Sequence, residues 1–210
     1  MDKKHLLLYL VTDSGGMEEN AFLRRVEEAL AAGVTLLQLR EKEREGRELY
    51  LLAQKVNALA RRCNVPLLID DRVDIAMAVD AAGVHVGQSD IPVHAARSLL
   101  GPDKIVGATA KTVEQALKAQ EEGADYLGVG AIYPTSTKVK TIPTSPKTLT
   151  QICRRVDIPA IAIGGLNQHN LEVLRGTGIH GVAVVSAIMK RTDAAAAVAE
   201  LKAAATDILR

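Results

Sequence analysis

Eight short apolar runs recur along the chain, at 6–11, 35–39, 66–69, 83–86, 105–108, 126–129, 160–163 and 181–185. Each has the length of a strand, and they are too uniformly apolar to leave one face in water, so they read as strands buried on both sides. The stretches between them carry a different period. Phe22, Leu23, Val26, Ala29 and Leu30 fall three or four residues apart, as do Leu49, Leu52, Val56 and Leu59, which is the spacing of a helix with one apolar face. Doubly buried strands alternating with such helices predict a parallel sheet covered by helices. Eight units in 210 residues close naturally into a (β/α)₈ barrel, read here as one catalytic domain spanning 1–210. An open doubly wound sheet is the alternative, but no Gly-x-Gly-x-x-Gly follows the first run to support a dinucleotide fold. Glycines at 33, 83, 123 and 178 stand between a helical stretch and the next apolar run, where each is expected to supply a left-handed helix stop.

A chain with 26 basic and 25 acidic residues has a net charge of +1, so no global field recommends nucleic acid or an anionic membrane as partner. Recognition of phosphate must then be local. One Phe, four Tyr and no Trp disfavour a base-stacking platform. Cys63 and Cys153 lack CxxC spacing and read as reduced, inert thiols. The apolar stretch at 6–11 is too short for a signal peptide or a membrane span, which places the protein in the cytoplasm as an expectation. A homo-oligomer is left open.

In a barrel of this kind the chemistry lies on loops after the C-terminal ends of the strands. After the second run comes Gln38-Leu39-Arg40-Glu41-Lys42, in which alternation sends Gln38, Arg40 and, if the strand continues, Lys42 to one side. Two cations and an amide there suit a pyrophosphate, although a solvated charge run is the competing reading. Asp70 and Asp71 follow the third run and Asp90 the fourth. Asp71 and Asp90, on adjacent units, are candidate ligands for a shared Mg²⁺, hard oxygen donors favouring it over zinc, unless each caps the helix that follows. Thr109 offers a hydroxyl after the fifth run. Thr135, Ser136, Thr137 and Lys138 offer three hydroxyls and an ammonium after the sixth, within a connection over 130–146 long enough to cover a substrate. Gly164-Gly165 and Val185-Ser186, after the last two runs, are where barrels build a phosphate site from backbone amides, if the glycines do not merely make a tight turn. His5, His85, His94, His169 and His180 show no metal-ligand spacing and are assigned no catalytic role. The sequence has neither a Gly-x-Ser-x-Gly elbow nor a P-loop, which removes serine hydrolase and P-loop nucleotide chemistry.

Taken in order, the segments 9–13, 38–42, 71–90, 126–138, 163–165 and 185–188 resemble the thiamine phosphate synthase family over almost the whole chain. The resemblance implies a (β/α)₈ barrel that joins 4-amino-5-hydroxymethyl-2-methylpyrimidine diphosphate to hydroxyethylthiazole phosphate, releasing pyrophosphate. It implies that Gln38, Arg40 and Lys42 contact the pyrimidine diphosphate, and that Asp71 and Asp90 hold Mg²⁺ against its pyrophosphate. It further implies that Lys138 neutralises the departing group, and that Thr135, Ser136, Thr137, Gly165, Val185 and Ser186 hold the thiazole phosphate. Arg40, Lys42 and Lys138 are thus the expected catalytic cations. Three positions depart from the family pattern. Asp70 stands where asparagine is common and is expected to accept from the pyrimidine amino group; Thr109 replaces a usual serine; and 141–146 lacks a glycine before the next helix.

Two other readings compete. A thiazole tautomerase of similar sequence would need a proton-transfer group, expected as a histidine in the loop after the sixth strand, where this chain has Thr135-Ser136-Thr137. A phosphate sensor that binds without reacting would have no need of Asp71, Asp90 and Lys138.

Overall fold

Every apolar run contains a strand: β1 Leu8–Val11, β2 Leu36–Leu39, β3 Leu67–Asp70, β4 Gly83–Val86, β5 Ile105–Ala110, β6 Tyr126–Gly130, β7 Ala160–Ile163 and β8 Val182–Val184. In the computed structural model, which describes residues 1–134 and 143–210, all neighbours pair in parallel and in chain order. The last strand returns to the first through Leu8↔Val182, Tyr9↔Ala183 and Leu10↔Val184, so the sheet is a closed barrel and not an open one. Helices α1 Glu19–Ala32, α2 Gly46–Arg62, α3 Val73–Ala78, α4 Val93–Leu100, α5 Val113–Glu121, α6 Pro146–Cys153, α7 Ser186–Met189 and α8 Ala194–Ile208 surround it. Among the described residues no helix is long and apolar enough to cross a membrane.

Local chemistry sets several helix ends. The Ser145 and Thr112 hydroxyls accept from the backbone N–H groups of Thr148 and Gln115 at 3.1 and 3.2 Å, and the Asp193 carboxylate accepts from Ala196 at 2.9 Å. Each satisfies a donor that a helix start would otherwise leave unpaired. Pro146, which has no N–H to lose, is the first residue of α6. At the other end of α1, Gly33 adopts φ +110 and donates its N–H to Leu30 O at 3.1 Å, a left-handed stop that a β-carbon would strain.

Alternation along the strands sorts the core into two parts. Leu8, Leu10, Leu37, Leu39, Leu67, Ile69, Val106, Leu127 and Val182 point outward and pack against the helices. Tyr9, Val11, Leu36, Leu68, Tyr126, Ile161 and Ala183 point inward and fill the barrel, with Leu6 joining them. The Tyr9 and Tyr126 rings meet edge to face, centroids 6.0 Å apart. Room for them comes from missing side chains elsewhere. A β-carbon at Gly107 would overlap the Tyr126 ring, and one at Gly128 would lie 3.1 Å from His85 Cε1.

Three features differ from the sequence reading. Residues 3–6 form a 3₁₀ turn ahead of β1, capped by the Asp2 carboxylate accepting from Lys4 N–H at 3.0 Å, so Leu6 enters the inner core from a turn and not from the strand. The connection from β7 to β8 holds only a 3₁₀ turn, Leu171–Leu174, because 164–170 is spent on a polar loop in which Asn170 Oδ1 accepts from Asn167 N–H. Gly33, Gly123 and Gly178 have positive φ as expected, but Gly83 does not; it is the first residue of β4, and any β-carbon there would strike the Ile105 backbone.

The Gly107→Ala substitution is therefore expected to lower the unfolding free energy by about 1–3 kcal/mol, the usual penalty for overfilling a packed core. Gly46→Ala, whose new β-carbon would touch only the flexible end of Arg72 at 3.6 Å, should be neutral or stabilising by up to about 1 kcal/mol. Urea denaturation midpoints of the two variants and the parent check the contrast; equal midpoints would show that the inner core has slack at Tyr126.

Candidate active site

A cavity of about 150 Å³ opens at the C-terminal ends of the strands. Gln38 and Arg40 reach it from β2 and the residue following it, Asp70 from β3, His85 from β4, and Thr109 and Lys111 from β5 and its end. Opposite them lie Ile163, Gly164, Gly165, Leu166, Val185 and Ser186, with Val11 of β1 between. One half of the wall is thus charged and polar, and the other is glycine and aliphatic.

The floor is a chain of hydrogen bonds across the barrel. Gln38 Nε2 donates to Tyr9 Oη at 2.6 Å, the two phenols Tyr9 and Tyr126 meet at 3.0 Å, Tyr126 Oη lies 2.8 Å from His85 Nδ1, and His85 Nε2 lies 3.0 Å from Thr109 Oγ1. Each phenol has a single proton, so each hydroxyl donates at most one of its two bonds in this chain and accepts the other. Burial pushes both phenols above the usual tyrosine range, which keeps them protonated and able to donate. Tyr9, Tyr126 and His85 are the residues that sequence reasoning missed. Their signal in the sequence is the inward register of 9, 85 and 126 on their strands, which neither metal-ligand spacing nor residue abundance detects.

The charged half is arranged around Asp70. Its carboxylate is nearly buried and faces Arg40, whose Nε lies 3.7 Å from Oδ2, too far for a hydrogen bond. Lys42 Nζ lies 2.9 Å from the same oxygen and pairs with it electrostatically, without the alignment of a hydrogen bond, and it also bonds the Asp71 carboxylate. Among the described residues Asp70 Oδ2 is therefore a buried acceptor with no aligned donor. Strand β2 ends at Leu39, so the expected inward row stops at Arg40; Lys42 is a half-exposed clamp at the rim, outside the cavity wall. Glu41, between them, is buried against Ser14, accepting from its N–H at 3.1 Å and its hydroxyl at 2.6 Å. Burial raises the Glu41 carboxyl pKa from its ordinary value.

Asp71 follows β3 with φ +58, and its N–H donates to His85 O at 2.9 Å. In the loop after β4, Asp90 Oδ2 accepts from Gly87 N–H at 2.8 Å. Neither caps a helix: Arg72 and Pro92 occupy the cap positions of α3 and α4, with no side-chain cap bond. Among the described residues no group of three or more His, Cys, Asp or Glu is placed to hold a metal ion by itself. The donors available are all carboxylates, one buried oxygen lacks an aligned partner, and the Lys42 ammonium already bridges two of them. That donor set suits a hard divalent cation that takes the rest of its shell from water and a substrate phosphate.

Across the cavity, Gly165 has φ +64, and a β-carbon there would lie 2.7 Å from Tyr133 Cβ. Close packing is what its glycine permits. Tyr133 N–H donates to Gly164 O at 3.0 Å, and Thr144 N–H to Ala131 O at 2.7 Å, which ties both described ends of the 130–146 connection to the rim. Thr135, Ser136, Thr137 and Lys138 lie outside the described residues. Burial pushes the Cys153 thiol up to about 11, as befits an unreactive side chain away from this mouth.

The model of the thiamine monophosphate synthase family matches residues 8–188. The thiamine-phosphate synthase of Methanobrevibacter smithii is 52% identical over 190 residues, 90% of each chain. Thiamine-phosphate synthase 2 of Streptococcus pneumoniae is 50% identical over 193 residues, 92% of each chain. Among solved structures, thiamine phosphate pyrophosphorylase from Pyrococcus furiosus superposes with a TM-score of 0.89 at 37% identity, covering 99% of each chain. With half of its residues shared across nine-tenths of its length and the same barrel, this chain belongs to the thiamine monophosphate synthase family of pyrophosphate-releasing transferases.

Proposed function

We propose that the barrel mouth makes thiamine phosphate by a dissociative route, with the pyrimidine diphosphate on the charged half of the cavity and the thiazole phosphate on the glycine half. The two-sided wall carries this reading: Arg40, Asp70 and Lys111 face Gly164, Gly165 and Ser186 across one cavity. A tautomerase or a sensor of the thiazole phosphate would need only the second half.

In this reading the bond between the pyrimidine methylene carbon and the diphosphate oxygen breaks first, and its electron pair leaves with pyrophosphate. The pyrimidine, through its amino group, stabilises the methylene cation. The thiazole nitrogen then supplies its lone pair to form the C–N bond. That nitrogen has no proton to lose, so no general base is required and the protein's work is positioning and stabilisation of the leaving group. Gln38 and Thr109, held by the phenol–imidazole chain, orient the pyrimidine, and Asp70 accepts from its amino group. Arg40 and Lys42 contact the diphosphate. Lys138 neutralises it as it departs. Gly165, Val185 and Ser186, with Thr135, Ser136 and Thr137, hold the thiazole phosphate. Mg²⁺ held by Asp71 and Asp90 would supply positive charge to the pyrophosphate oxygens. Small-molecule substrates of this kind need neither nucleic acid nor membrane, and the reading places the enzyme in the cytoplasm.

The direct test is an assay with both substrates and Mg²⁺ that follows thiamine phosphate and pyrophosphate together. Equal, magnesium-dependent appearance of the two is expected; absence of both, with the thiazole phosphate still bound, would overturn the transferase reading. Asp90→Ala should lower turnover sharply at limiting magnesium, by about tenfold or more, and a titration with an unchanged magnesium midpoint would remove Asp90 from the metal. For Lys138→Ala, single-turnover rates should fall more than thiazole phosphate affinity does, and the reverse would assign the lysine to the other substrate.

A further inference from the structure

We infer that Lys111 is an additional anion-binding residue that contacts the diphosphate of the pyrimidine substrate and the pyrophosphate it releases. This deepens the reading above and rests on it.

Lys111 follows Thr109 by two positions at the end of β5, and both line the cavity. Its backbone is fixed. The Lys111 N–H donates to Gln115 Oε1 at 2.8 Å, while the Gln115 N–H donates to Thr112 Oγ1, so the start of α5 holds the lysine's point of departure.

Its charge is handled differently from that of its neighbours. Arg40 faces Asp70, and Lys42 is shared between Asp70 and Asp71. Lys111, partly buried, pairs with no carboxylate among the described residues. Asp90, in the loop after β4, directs Oδ2 to the Gly87 N–H. A cation on a cavity wall that no carboxylate among the described residues neutralises is placed to meet an anion that arrives as a ligand.

Its position selects the ligand. Strand β5 pairs with β4, and the loop after β4, which carries Asp90, is tied to β5 by Gln88 Nε2 donating to Thr109 O at 2.6 Å. Lys111 therefore extends the arc of charged residues that begins at Arg40 and runs through Asp70. The glycine cradle belongs to β7 and β8, across the cavity. A flexible ammonium on that arc serves as a point charge for a diphosphate oxygen.

The test is calorimetric binding of inorganic pyrophosphate in Mg²⁺ to the parent, Lys111→Met and Lys111→Arg, with steady-state KM values for both substrates. Lys111→Met is expected to weaken pyrophosphate binding about tenfold and to raise the KM for the pyrimidine diphosphate similarly. The KM for the thiazole phosphate should change by less than about twofold, and Lys111→Arg should restore most of the affinity. Thermal melts of the three proteins separate lost binding from lost folding, with Lys111→Arg as the second variant. If the parent fails to bind pyrophosphate, the reading of the whole site falls. If the parent and Lys111→Met bind it equally, only the role of Lys111 falls. Weakened thiazole phosphate with unchanged pyrophosphate overturns it as well, by moving the lysine to the other half.

Discussion

Closing eight strands of three to six residues into one barrel leaves each strand only one to three inward positions, and the molecule is organised by how those few places are used. The lower places take aliphatic residues, Leu36, Leu68, Ile161 and Ala183. The upper ones take Gln38, Asp70, His85 and Thr109, one step further along β2, β3, β4 and β5. Because inward positions alternate, a strand that adds an aliphatic plug below must present its next inward residue two positions later, at the mouth. Stability and chemistry are therefore stacked along the same strands and not divided between separate regions.

The phenols stand at the boundary between those layers. Tyr9 and Tyr126 bury their rings among aliphatic residues while their hydroxyls continue the line from Gln38 to His85. A buried phenol without a partner would be destabilising, so the tyrosines and their polar neighbours specify one another. Glycine makes the arrangement possible. Gly107 and Gly128 give up inward side chains so that the Tyr126 and His85 rings can occupy the space. The orientation of groups at the mouth thus depends on side chains missing from β5 and β6, and a change in the lower core would be felt in the positions of Gln38 and Thr109.

How much of this was readable in the sequence follows from the range of each cause. Strand positions were legible because an apolar run and a following helix are local patterns, and the parallel barrel follows from counting them. Gly33 could be read because its left-handed φ depends on its own helix; Gly83 could not, because the reason for it is the Ile105 backbone on the next strand. The same distinction explains the site. Gln38, Arg40 and Asp70 announced themselves as polar residues at strand ends, whereas His85 and the two tyrosines look like ordinary residues until closure aligns their strands. For Lys42 the inward direction depended on the strand continuing, and β2 stops at Leu39, so the lysine sits at the rim, where its ammonium reaches Asp70 and Asp71.

The rim electrostatics give the added carboxylate at position 70 a physical role. A buried carboxylate facing the cavity is tolerable only with cations beside it, and Asp70 has Arg40 at 3.7 Å and Lys42 at 2.9 Å. Neither contact is an aligned hydrogen bond, so the Asp70 carboxylate holds both cations near the mouth by charge, while Lys42 gives its bond to Asp71. In the proposed reading, a multiply charged anion can take aligned bonds from Arg40 without displacing a good one, whereas Lys42 would share its donors between that anion and Asp71. Asparagine at this position would carry no charge to gather the cations. Aspartate carries one, so Arg40 and Lys42 are drawn together by the protein itself; in the proposed reading the same carboxylate also accepts from the pyrimidine amino group.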